Sequence, residues 1–64
     1  MEEIVASIKK EDGIQVAWQK HNQTKGTFFT YAELIDMKIN ALDLLENPKN
    51  YLLDLERRLI VFRR

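Results

Sequence analysis

Four arginines within eight residues, Arg57, Arg58, Arg63 and Arg64, are the densest concentration of reactive chemistry in this 64-residue chain. Guanidinium groups grip phosphates and carboxylates through paired hydrogen bonds, so this basic end suits nucleic-acid phosphates or an acidic protein surface. A plainer reading competes with it and has the better claim: a charged edge strand that resists pairing with other chains. Phe62 is the one aromatic residue among the arginines, which makes a stacking platform for single-stranded bases a poor fit. The second concentration is acidic. Glu33, Asp36 and Asp43 fall on one face of a helical pattern, where they would attract a basic partner. They lack the dense oxygen cage that calcium requires, and a solvated helix face with acids near its N-terminus explains them more simply.

The two charges are segregated. Residues 30–46 carry four acids against Lys38, a net −3, and residues 57–64 carry +4. That complementarity suggests contact between copies of the chain, head-to-tail or two-fold, weakened by salt.

Other chemistries are excluded or unsupported. The chain has no cysteine, which rules out disulfides and thiolate zinc sites. His21 is the single histidine and ends a polar strand face, where a solvated surface role is expected. Gly13 and Gly26 are the only glycines and stand too far apart to form a phosphate-cradling loop. No hydroxyl or carboxylate has a neighbour in sequence that would activate it. We therefore expect no catalysis, no cofactor and no metal.

The element that must position these groups is the stretch Thr30–Glu46. Thr30 and Glu33 form a capping box, Phe29 and Leu34 the matching hydrophobic staple, and Asn47-Pro48 ends the pattern. Read as one helix, it has a narrow polar face (Glu33, Asp36, Asn40, Asp43) and an apolar arc about twice the width that packing on a sheet requires. Burial on two sides within the chain would account for the excess. So would contact of the flank around Met37 and Leu44 with a second molecule.

Residues 3–21 predict a β-hairpin. The alternation of Ile4, Ala6 and Ile8 aligns with Ile14, Val16 and Trp18 if Glu11-Asp12-Gly13 forms a three-residue loop with Gly13 at positive φ. The other face is then polar: Ser7, Lys9, Gln15, Gln19 and His21. Residues 21–26 read as a polar loop, and Thr27-Phe28-Phe29 as a short third strand. The C-terminal part reads two ways. As a hairpin turning at Glu56-Arg57, it sets Tyr51 and Leu53 on one face with Phe62 and Ile60; as a helix, Asn47 caps it and Pro48 takes the first position. The β-branched and aromatic run Ile60-Val61-Phe62 favours the hairpin.

The expected fold is α+β in one small domain: an antiparallel sheet packed against one central helix. A chain this short hides only about 60% of its unfolded surface and gains roughly 3–5 kcal/mol from its core, so self-association would help it. Equal numbers of acidic and basic residues argue against a general polyanion binder. No apolar run approaches the ~18 residues of a membrane span, and Met1-Glu2-Glu3 is unlike a signal-peptide start; the cytoplasm is the expected compartment. The functional expectation is a protein-interaction module, a regulatory or accessory protein of the kind phages carry. It would bind another protein stoichiometrically, as a monomer or homodimer. The alternative is a nucleic-acid-binding regulator using the arginine cluster, which would want a second helix over 48–58.

Overall fold

Five strands and two short helices follow one another along the chain, and a single extra residue in the first strand decides which side chains reach the core. The computed structural model describes residues 1–63. In chain order these are β1 (Glu2–Lys9), β2 (Gly13–Lys20), β3 (Gln23–Thr30), α1 (Tyr31–Asp36), α2 (Ala41–Glu46), a 3₁₀ turn (Pro48–Asn50), β4 (Tyr51–Asp54) and β5 (Leu59–Phe62). The strands form one antiparallel sheet in the order β3-β2-β1-β4-β5. The helices lie on one face of it. Between the layers sit Ile4, Ile14, Val16, Trp18, Phe29, Leu34, Leu44, Tyr51, Leu53 and Ile60. The α+β class holds.

The register of the first hairpin differs from the sequence expectation. Ser7 faces Val16 and Ile8 faces Gln15, while Ile4 faces Trp18. Lys10 donates its N–H to the Gly13 carbonyl at 2.8 Å, so the connection tightens to Glu11-Asp12 rather than running through Gly13. Gly13 does not have positive φ. The apolar alternation is reconciled by a bulge at Val5, between Ile4 and Ala6. Two residues there oppose one, which switches the face of everything after them. Ile4 therefore stays in the core, Ala6 and Ile8 turn to the outside, and Ser7 takes an inward position. Its hydroxyl is satisfied by donating to the Leu44 carbonyl at 2.9 Å.

The expected polar loop at 21–26 is also absent. His21 and Asn22 have φ of 53° and 63°, the geometry of a two-residue I′ turn, whose twist suits a hairpin. Lys20 consequently pairs with Gln23, and β3 runs eight residues instead of three. Across β2 and β3 the Trp18 indole N–H donates to the Thr27 hydroxyl at 3.0 Å, as a buried indole requires. The C-terminal hairpin matches its expected register, Tyr51 with Phe62 and Leu53 with Ile60. Its loop is held by Asp54, whose carboxylate accepts from the N–H groups of Glu56 and Arg57 at 3.1 and 3.2 Å.

The single central helix is the main correction. The Thr30–Glu33 capping box is present, but the helix stops at Asp36 and a second one begins at Ala41. Lys38 has φ of 60°. Ile39 donates to the Leu34 carbonyl and Lys38 to that of Ile35, both at 2.9 Å; this is a Schellman stop with lysine in the left-handed position. Asn40 then caps the second helix through its side chain and the Asp43 N–H. The break has a physical reason. Asn40 offers a second N-cap, its side chain accepting the Asp43 N–H at 3.1 Å, and a cap residue takes non-helical backbone geometry at its own position. Two short helices can each turn inward, and Leu34 and Leu44 are both fully buried. Because lysine pays a steric cost at positive φ that glycine does not, Lys38→Gly should raise stability by about 1 kcal/mol, read as a higher melting temperature. A lower one would contradict this stop.

Candidate functional site

The nine residues singled out from the sequence do not converge. Leu44 is fully buried. Met37 packs against the core and its sulfur accepts the Ile60 N–H at 3.4 Å. The flank assigned to a second molecule is thus covered by the chain itself. Glu33 accepts from the Thr30 N–H at 2.9 Å and pairs with Arg58. Asp43 accepts from the Asn47 amide at 2.9 Å and from the Tyr51 hydroxyl. Asp36 is exposed. The acidic face is largely engaged in holding the helices to the sheet.

The arginines separate. Arg57 stands at the tip of the C-terminal hairpin, 4.0 Å from Asp54. Arg58, at one end of β5, donates to the Phe28 carbonyl at 2.6 Å and lies 4.6 Å over the Phe29 ring. Arg63, beyond the other end, pairs with Glu3 at 3.0 Å and donates to the Lys49 carbonyl at 3.2 Å. Arg64 lies outside the described residues. Arg58 and Arg63 stand at opposite ends of β5, and the Arg58–Glu33 contact joins the two charged segments within one chain.

These contacts set a pH window. Glu33 is held below its ordinary 4.5 by the Thr30 N–H first and by Arg58 next. The Tyr51 hydroxyl and then the Asn47 amide hold Asp43 below its ordinary 3.8. Both carboxylates stabilise the fold above those values, and that contribution is lost as pH falls through and below them. Tyr51 behaves oppositely. Burial first, and the Asp43 carboxylate second, push its hydroxyl from 10.0 to about 12. Its contribution is intact below pH 10 and lost as pH rises towards 12. Stability against urea should therefore fall at both ends of the range, and Tyr51→Phe should flatten the alkaline end. An alkaline loss unchanged in that variant would refute the assignment.

What the sequence reading missed is the outer face of the sheet. No helix covers it. Ile8, Gln15 and Phe28 form one cross-strand row, and Ala6, Ala17 and Gly26 the next. Ile8 is 52% and Phe28 37% exposed. One clue was present: adjacent strand residues point to opposite faces, so a sheet covered on one side buries only one of Phe28 and Phe29. On the helical side Ile35 and Leu42 are exposed, but on separate helices.

Polar chemistry offers less. An open groove of about 360 Å³ is lined by Met1, Glu2, Val5, Gln19, Lys20 and His21, among others. Among the described residues no group of three or more His, Asp or Glu side chains could hold a metal ion. Among the described residues no helix is long and apolar enough to cross a membrane.

The chain is a small α+β protein with a five-stranded antiparallel sheet and two short helices, and Ile8 and Phe28 stand exposed on the sheet. Comparison with protein-family models, with curated proteins and with solved structures finds no match to this chain.

Proposed function

We propose that this chain is a small protein-interaction module that regulates or assists another protein by stoichiometric binding, with the bare sheet face as its contact surface. One observation carries the reading: Ile8 and Phe28 stand exposed in a single row on a face that the chain's own helices leave uncovered. Apolar side chains gathered on a rigid sheet are the usual anchors of such contacts. A homodimer through the same face is consistent with the zero net charge, which provides little self-repulsion. The nucleic-acid reading has less behind it. It wanted a helix over 48–58, where the chain has a 3₁₀ turn and a strand, and a contiguous arginine patch, where the described arginines lie at separate places.

The test is affinity capture with the tagged protein and with Ile8→Glu, each with and without nuclease, after circular dichroism has shown both variants folded. A discrete partner recovered near one-to-one, resistant to nuclease and lost with Ile8→Glu, is the expected result. Recovery that disappears with nuclease, or that ignores Ile8→Glu, would overturn the reading.

A further inference from the structure

The two edges of the sheet are treated differently. On β5, a four-residue strand, the outward Ile60 N–H is taken by Met37. β3 is eight residues long and forms the opposite edge. Its hydrogen-bonding parity can be fixed from three contacts. The Tyr31 N–H, just beyond β3, reaches the Asp12 carbonyl on the β2 side at 3.1 Å. The Phe28 carbonyl and the Thr30 N–H are met instead by side chains, Arg58 and Glu33. Odd-numbered backbone groups therefore face β2 and even-numbered ones face outward.

The C-terminal end of this edge is sealed by Arg58 at Phe28 and by Glu33 at Thr30. Earlier in the strand, Thr24 and Gly26 direct their N–H and C=O groups outward, and among the described residues nothing pairs with them. Between them stands Lys25, exposed, opposite Trp18 and flanked on the same face by Lys20, Gln23 and Thr27. None of these neighbours is acidic. Among the described residues no carboxylate lies within 4.0 Å of Lys25.

We propose that the open half of β3, Gln23–Thr27, receives an extended segment of a partner protein as a sixth strand, with an acidic residue of that segment opposite Lys25. The inference rests on the interaction-module reading and specifies how the partner is held. Main-chain hydrogen bonds at Thr24 and Gly26 supply attachment, and Lys25 supplies the sign of the charge. On the outward face, beside Gly26 and Phe28, the segment presents apolar side chains that continue the exposed row. Self-pairing of this edge is disfavoured. Centred on Lys25, two copies set like charges directly opposite each other; centred on Gly26, the pairing must reach Phe28, where Arg58 already lies.

The probe is an acetylated, amidated peptide of alternating valine and glutamate, six residues long, titrated into ¹⁵N-labelled protein. The expected result is shifted resonances and slowed amide exchange at Thr24 and Gly26. N-methylation of the peptide should weaken binding roughly tenfold, as the loss of two main-chain bonds implies. Lys25→Glu should transfer the preference to a valine–lysine peptide. Gly26→Pro, which removes an outward N–H and leaves the β2 ladder intact, should weaken binding of the parent peptide. Binding indifferent to N-methylation, or shifts centred on Ile8 and Ala17 with edge exchange unaltered, would overturn the inference. So would protection of Gly26 that grows with protein concentration in the absence of peptide, since the edge would then belong to a second copy. If these tests fail while Ile8→Glu still abolishes capture, the edge assignment falls and the interaction module stands.

Discussion

Gly13→Ala is expected to remove most of the stability of this protein. A side chain at Gly13 would run into the Phe29 carbonyl, with the Thr30 Cα at 2.8 Å and the Phe28 ring at 2.9 Å. Two of those three obstacles are backbone of the neighbouring strand, next to the Thr30 helix cap. They cannot move without disturbing the β2–β3 ladder and the entry to the first helix together. Overpacking of this kind costs about 1–3 kcal/mol or more, against the roughly 3–5 kcal/mol that a core of this size supplies. Gly26→Ala is the control. There the nearest atom is the end of the Gln15 side chain, at 2.5 Å, which can swing away, so the loss should be a fraction of the first. Thermal melts followed by circular dichroism compare the two. Equal melting temperatures for Gly13→Ala and the parent would show that the close approach at Phe29 is wrong.

Leu44→Ala should be the second severe substitution, at about 3 kcal/mol. Leu44 is fully enclosed beneath the second helix, and truncating a buried leucine costs the transfer of its methyl groups plus the cavity left behind. Leu44 also lies where the backbone receives the Ser7 hydroxyl, so relaxation of the helix into the cavity would strain that contact. Ile35→Ala, on a side chain 73% exposed, should change stability by less than about 0.5 kcal/mol. Urea denaturation at two protein concentrations separates the explanations. A loss in Leu44→Ala that is the same at both concentrations belongs to the core of one chain. A loss that disappears on dilution of the parent would return Leu44 to an interface between chains.

Much of this fold was legible from residue order because it depends on neighbours in sequence. The Thr30–Glu33 capping box needs only a hydroxyl and a carboxylate three residues apart. The C-terminal hairpin register follows from the alternation of Tyr51, Leu53, Ile60 and Phe62. The second cap was equally local. Asn40 followed by Asp43 is a helix start, set inside an apolar arc that runs on from the first helix. His21-Asn22 likewise carried a turn signal, since asparagine and histidine accept positive φ more readily than most residues.

The face assignments were not legible. A period-two pattern identifies which residues share a side, but one bulge at Val5 reverses the sides after it, and no residue type at Val5 announces that. Ile8 therefore reads as core in sequence and stands outside in the fold, while Ser7 does the reverse because Leu44 offers it an acceptor. The charged residues misled for a related reason. Their net charges describe segments, whereas electrostatic contact depends on where strand ends fall in space, and β5 carries Arg58 and Arg63 to separate places.

What the sequence by itself determined is the set of local commitments: strand and helix types, a capped helix start and a hairpin at the C-terminus. The tertiary structure decided everything that requires two distant segments to meet. It brought Leu34 and Leu44, on separate helices, into one core, turned Ile8 and Phe28 to an uncovered face, and sealed only half of the β3 edge. Those outcomes depend on burial, and burial is a property of the surfaces that a neighbouring element covers, which no single segment of the chain contains.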